Sequence, residues 1–253
     1  MIHTRRGLLL VAALTFVIAL IILFPARIAY QWAAPAGFAA SGIHGTVWSG
    51  QADAVSVDGI YLRDVSWRMH PMYLFTGKLA YRIKATPVSG FIEGNVSIGI
   101  GGTLTVSDLT ASLPLQMLAV TLRVRGLQGT GSLQIQKAAL RRDRLIAADG
   151  VLQVANFVAP RISRQPIGGY RAEFFTEDDG IVASVEDADG AVDLAGKLEL
   201  KHDFSYSFLG LVQETPRTPA DLRRRLQDVP PINDRGQREL RAEGVMQLFP
   251  TRP

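Results

Sequence analysis

Residues 78–84 read Lys-Leu-Ala-Tyr-Arg-Ile-Lys, and their alternation decides the fold class. In an extended chain Leu79, Tyr81 and Ile83 fall on one side, and Lys78, Arg82 and Lys84 on the other. A helix would scatter the same residues around its circumference, because its period is 3.6 and not 2. The alternation recurs upstream at Val65, Trp67 and Met69. Downstream it returns at Leu104 and Val106, Leu133 and Ile135, Leu152 and Val154, and Leu198 and Leu200. Glycines punctuate these runs at Gly59, Gly77, Gly90, Gly94, Gly102, Gly126, Gly129, Gly150, Gly180, Gly190 and Gly196, as turns and bulges require. The expected fold is all-β and mainly antiparallel: a long curved meander or sandwich-like sheet with few short helices. The pattern fits a closed sheet or an open groove equally.

Short helical turns are expected at 71–75 (PMYLF) and 114–120 (PLQMLAV). The best helix runs from Pro219 to about Asp228, with Thr218 as N-cap, Asp221 at the third position, and Leu222, Leu226 and Val229 on one face. Arg223, Arg224 and Arg225 then face mostly solvent. A weak internal echo links the segments opening at Gly45 and Gly131, each followed about 22 residues later by a returning strand. It suggests two copies of one meander unit.

Toward the N-terminus the alternation gives way to GLLLVAALTFVIALIILFPA, Gly7 to Ala26: 20 uncharged residues between Arg6 and Arg27. At 1.5 Å per residue this run matches a hydrocarbon core of roughly 30 Å. His3, Arg5 and Arg6 precede it, and after Arg27 the next Lys or Arg is Arg63. The positive-inside rule then places the N-terminus in the cytoplasm and the remainder outside. Pro25 is expected to end the helix, with Tyr30 and Trp32 at interfacial depth. A cleaved signal peptide is the competing reading, favoured by small residues in 33–40 and disfavoured by the length of the apolar run. The division implied is 1–6 cytoplasmic N-terminus, 7–26 transmembrane anchor, 27–41 juxtamembrane linker and 42–253 exported β-rich domain.

The chain has no cysteine, so an exported domain must be held by its core and not by disulfides. The formal net charge is only +4, and with the bulk of the chain exported, nucleic acid is not an expected partner. No catalytic constellation emerges. His3, His44, His70 and His202 are far apart and lack metal-ligand spacing, and no serine sits in a nucleophile elbow. Gly99, Gly101 and Gly102 precede a strand, so they offer no helix dipole to a phosphate. The acidic runs 177–180 and 186–190 read as hairpin turns, without the alternating oxygen ligands of a calcium loop. Trp48 and Trp67 are expected as core anchors. No catalytic, cofactor-binding or metal-ligating residue is assigned, and no cofactor.

Several blocks together resemble a known family. Gly45-Thr46-Val47-Trp48-Ser49-Gly50-Gln51-Ala52 matches a G-T-x-W-S-G-x-A block. Trp67 to Pro71 matches W-x-x-x-P, and Leu74 to Leu79 matches L-x-x-G-K-L. Pro166 to Tyr170 and the Gly180-Ile181-Val182 stretch echo P-x-G-x-Y and D-G-x. Following the N-terminal apolar run, this order and spacing is similar to protein N of the bacterial type II secretion system. The resemblance implies a single-pass inner-membrane accessory protein facing the periplasm, with no catalytic residues. It would act by binding other type II secretion system subunits, and an exposed sheet edge could take a partner by strand addition. The alternative is an AsmA-like lipid-handling protein, whose β-sheet would leave an apolar groove open to acyl chains.

Overall fold

The computed structural model describes residues 2–34, 37–57, 60–118, 126–142, 144–160, 162–230, 232–233 and 236–245. The expected Gly59, Ala119, Val120 and Pro231 positions lie outside these residues. In chain order the elements are α1 (Ile2–Ile22), α2 (Ala26–Ala33), β1 (Phe38–Ser41), β2 (His44–Gly45), β3 (Ser49–Val57) and β4 (Ile60–Met69). A 3-10 turn, Pro71–Thr76, leads into β5 (Lys78–Pro87), β6 (Phe91–Gly99), β7 (Thr103–Pro114) and α3 (Leu115–Leu118). Then follow β8 (Gln128–Arg141), β9 (Arg144–Val158), β10 (Tyr170–Glu177), β11 (Gly180–Asp187), β12 (Val192–Lys201) and β13 (Ser205–Glu214). Helix α4 (Ala220–Gln227) and β14 (Arg238–Val245) complete the chain.

All fourteen strands join one sheet, in the order β1-β3-β4 and onward in sequence to β14, with β2 beside β3. Every pairing is antiparallel, and among the described residues β1 and β14 are its two ends. The sheet is therefore open. The two echoing segments do become hairpins, β3–β4 and β8–β9. They are parts of one continuous meander.

Alternation makes the strands, but bulges keep it from being uniform. Asp64 and Asp108 each have φ of 50°, and the register slips beside both. Aspartate tolerates this left-handed backbone better than most residues, and the extra residue bends and twists the strand. The bulge at Asp64 also reverses parity, so Leu62 lines the same groove as Val65 and Trp67. Glycines sit where aromatics cross the ladder. Gly50 pairs with Trp67, and a Cβ at Gly50 would stand 2.5 Å from the indole. Only glycine lets the ring lie flat there.

The first helix ends ahead of Pro25, as expected, but it does not fill the span expected at 7–26, and the linker expected at 27–41 is structured. Helix α1 stops at Ile22, Pro25 takes extended dihedrals as the N-cap of α2, and residues 27–41 carry α2 and β1. Proline divides the 20-residue run because it fixes φ and has no N–H to continue the helix. Among the described residues no helix is long and apolar enough to cross a membrane.

The short helices fall close to expectation: the 3-10 turn at Pro71–Thr76, Leu115–Leu118, and Ala220–Gln227. The capping of α4 does not. Pro219 is its N-cap, without a side-chain capping bond. Thr218 instead donates through Oγ1 to the Ala191 carbonyl at 2.7 Å, which ties the preceding loop to the sheet.

Candidate docking surfaces

The sequence block from Gly45 to Ala52 forms a joint between α1 and the sheet. The Trp48 indole N–H donates to the Ile21 carbonyl at 2.8 Å, and the Val47 N–H to the Phe24 carbonyl at 3.0 Å. Pro25 bridges to Thr46, and the Thr46 carbonyl accepts the Trp67 indole N–H at 3.1 Å. Carbonyls left open at the end of a helix are thus satisfied by the sheet. Trp48 and Trp67 are only half-buried, so neither is the enclosed core anchor expected. Their polar ends fix the helix exit, and an indole can serve a joint in this way because it is apolar along its body and donates at one edge.

Beyond this joint the two faces of the sheet carry opposite chemistry. On one face Val55, Leu62, Val65, Trp67, Tyr81 and Ile83 line a groove of about 530 Å³. Tyr30 of α2 and Phe38 of β1 close its side, their rings 6.0 Å apart. The Tyr30 hydroxyl accepts the Ala40 N–H, and Trp32 faces outward. Burial raises the Tyr81 phenol above its ordinary value. The other face has a polar depression of about 660 Å³, where His44, Arg68, His70, Arg82 and Lys84 meet. Lys84 pairs with Glu93 at 2.9 Å, and Arg82 Nε donates to Asn95.

The far end of the sheet is covered. Leu222 and Leu226 of α4 pack with Ile167, Ala191, Val192 and Val212, flanked by Phe157, Tyr170, Leu194 and Leu240. Asp221 holds the start of α4 in place: its carboxylate accepts from Ser163 Oγ at 3.0 and 3.1 Å and from the Arg164 N–H at 3.1 Å. It also accepts the Leu222 N–H at 2.9 Å. The Arg164 N–H is the largest influence holding the Asp221 carboxyl below its ordinary value. Tyr170 donates to the Ile167 carbonyl, and burial, with Asp187 nearby, pushes its phenol up to about 12. Glu214 accepts both Arg223 and Arg238 at 3.4 Å.

The residues weighed for chemistry stay apart. His44 lies in β2, His70 precedes the 3-10 turn edge-on to Tyr73, and His202 Nδ1 is 2.8 Å from the Leu145 carbonyl. The side chain of His3 lies outside the described residues. Asp178 and Asp179 form the β10–β11 turn, and Gly101 and Gly102 precede β7. Among the described residues no three His, Asp or Glu side chains come together as metal ligands. Sequence reasoning missed the role of Ser163 and the place of the groove. The groove had a signal, the Val55-Leu62-Val65 set, masked by the parity change at Asp64.

These features define an open, single-sheet antiparallel scaffold, jointed to an N-terminal helix, with an apolar groove at one end and a helix-capped core at the other. The chain belongs to the type II secretion system protein N family, whose profile matches residues 36–241. It is also similar to the type II secretion system protein N of Vibrio cholerae serotype O1 (strain ATCC 39315 / El Tor Inaba N16961), 35% identical over 85 residues. That similarity covers 32% of this chain and 32% of the relative, about a third of its length. No solved structure matches the chain.

Proposed function

We propose that the chain is an inner-membrane accessory subunit of a type II secretion system, whose periplasmic sheet binds other subunits of the machine during export of folded proteins. Family membership over residues 36–241 carries this reading. Helix α1 is the membrane anchor, single-pass, with the N-terminus cytoplasmic. The uncharged part of α1, Gly7 to Ile22, would extend about 24 Å at 1.5 Å per residue, and Leu23, Phe24 and Pro25 continue the apolar run beyond the helix. Leu8, Leu9, Leu10 and Phe16 are each at least 67% exposed, an apolar surface that water would not favour around a whole helix. Cations before the run and none between Arg27 and Arg63 set the orientation. The end strand β14 is one docking edge. Its charged Glu239, Arg241 and Glu243 guard it against indiscriminate pairing while leaving backbone groups for a chosen partner.

The test is affinity capture of the tagged full chain from detergent-solubilised membranes of its own bacterium, with a secretion assay on a deletion strain. Recovery of secretion-system subunits, and impaired export on deletion, are the expected results. A capture with no such subunits overturns the reading. The groove of about 530 Å³ favours a second reading, a lipid-binding sheet. Stoichiometric phospholipid in the purified protein, lost in a Val65→Trp variant, would select it.

A further inference from the structure

The joint between α1 and the sheet leaves a third surface, at the sheet end where β4, β5, β6 and β7 turn. The 3-10 turn Pro71–Thr76 shows Met72 and Phe75 to solvent at 73% and 87% exposure, and none of its residues is buried. Ile100, in the β6–β7 turn, is 92% exposed, and its N–H donates to the Gly77 carbonyl at 3.1 Å. Two adjacent turns thus form one apolar tip. Side chains this exposed on two hairpin ends add little to the core.

Its location says what covers it. Leu74 and Pro71 share a groove with Ile21 and Ile22, the last turn of α1. The Met69 N–H donates to the Trp48 carbonyl at 2.7 Å, and Trp48 in turn holds Ile21. The tip is therefore fixed beside the point where α1 ends. Charge follows the same plan. Arg68 and Lys78 flank the 3-10 turn, and Arg141, Arg142 and Arg144 stand at the β8–β9 turn, all exposed. Thr103 pairs with Arg141, whose guanidinium lies near Gly101, next to Ile100. None of these five cations is ion-paired among the described residues, and the sequence sets one acid, Asp143, among them. Farther along the same sheet end the sign reverses at Glu177, Asp178 and Asp179.

We propose that this tip is a second membrane contact: Met72, Phe75 and Ile100 enter the bilayer surface, and Arg68, Lys78, Arg141, Arg142 and Arg144 hold anionic phospholipid headgroups. The proposal rests on the reading of α1 as the anchor. An apolar wedge rimmed by cations is the pattern that binds at an interface, where side chains reach about 5–10 Å into the headgroup boundary. With α1 and the tip both engaged, the sheet is held at a fixed tilt, the acidic β10–β11 turn pointing away from the lipid.

Because the chain has no cysteine, single-cysteine variants label uniquely. Phe75→Cys, Ile100→Cys, Leu14→Cys and Ser89→Cys, each carrying an environment-sensitive fluorophore, would be reconstituted as full chains in phosphatidylethanolamine–phosphatidylglycerol vesicles. Ser89 lies at the opposite end of β5 and β6, about 30 Å away at 3.3 Å per residue, beside the exposed but cation-poor Val88. Spin-labelled lipids with the quencher near the headgroup should dim positions 75 and 100 about two-fold or more, and leave 89 bright. Omitting phosphatidylglycerol should weaken that quenching. Bright probes at 75 and 100 with Leu14 quenched by deep spin labels would overturn the proposal and leave the anchor standing. Quenching at 75 and 100 with none at Leu14 would support the tip while removing the anchor. A full set of bright probes would remove both.

Discussion

The two ends of the sheet are built from the same alternating strands and finish in different ways. Around β12 and β13 the apolar face is covered by α4, and the buried side chains are mostly large: Ile167, Val192, Val212, Leu222 and Leu226, with Ala191. At the first strands the fully buried residues are mostly small, Ala26, Ala52, Ala80 and Ala85 with Val55, and the larger ones line a groove beneath α2. An amphipathic sheet face must be covered by something. A helix of this chain covers one end, and at the other end the groove stays open among the described residues. The larger packed cluster thereby lies far from the α1 joint, and the open groove lies beside it.

The largest effect that would break this comparison is Leu226→Ala against Leu62→Ala. At the covered end the first should lower stability by about 3 kcal/mol, because the cavity opens under a helix that cannot collapse into it. In the open groove the second should lower it by about 1 kcal/mol, since the lost contacts are few and solvent fills the space. Urea denaturation of the two variants checks this, and equal losses would mean that the groove is part of a closed core.

How much of this was legible beforehand depends on what kind of force sets each feature. Alternation at Leu79, Tyr81 and Ile83 fixed the strands, since sidedness is a local property of an extended chain. The buried stripe Leu222 and Leu226 was legible for the same reason, at helical spacing. What was not legible is tertiary. Thr218 has the right chemistry for an N-cap, yet the Ala191 carbonyl claims its hydroxyl. Asp221 sits where a capping carboxylate would, yet it serves a loop 57 residues away in sequence. The N-terminal run is apolar enough for one span by composition, and Pro25 with the Trp48 contact divides it. Family kinship was legible in the order of the blocks, because those blocks are the joint and the turns.

Trp67→Ala sharpens the comparison from the groove side. A fully enclosed Trp would cost about 3–5 kcal/mol on truncation; a half-buried ring over Gly50 should cost about 2 kcal/mol. The same change frees the Thr46 carbonyl and loosens the α1 joint. Faster amide exchange at Val47 and Trp48 than in wild type is the expected signature. Unchanged exchange would show that the joint is held by α1 alone.

Enlarging side chains asks the same question with the opposite sign. Val212, 3% exposed beneath α4, leaves no space, so Val212→Phe should destabilise by about 1–2 kcal/mol. Val65→Phe points into the groove and should change stability by less than about 0.5 kcal/mol. Thermal melts of both variants decide it. A large loss at Val65 would mean the groove is narrower in solution than its walls suggest.

The smallest effect tests the latch that keeps the covered end covered. Asp221 accepts hydrogen bonds from Arg164, Ser163 and Leu222, and these favour its charged form. Its folded value therefore lies below the ordinary 3.8 that it regains on unfolding. A carboxyl with a depressed folded value stabilises fully above the unfolded value, and loses that contribution as pH falls through the folded one. The advantage of wild type over Asp221→Asn should accordingly be constant above about pH 5 and shrink as pH drops below about 4. Exposed carboxylates with lowered values, Glu199 and Asp203, contribute to both proteins and cancel in the difference. Urea midpoints of the pair across that range measure it. If the gap stays flat down to pH 2, the Ser163 contact does not depend on the charge of Asp221.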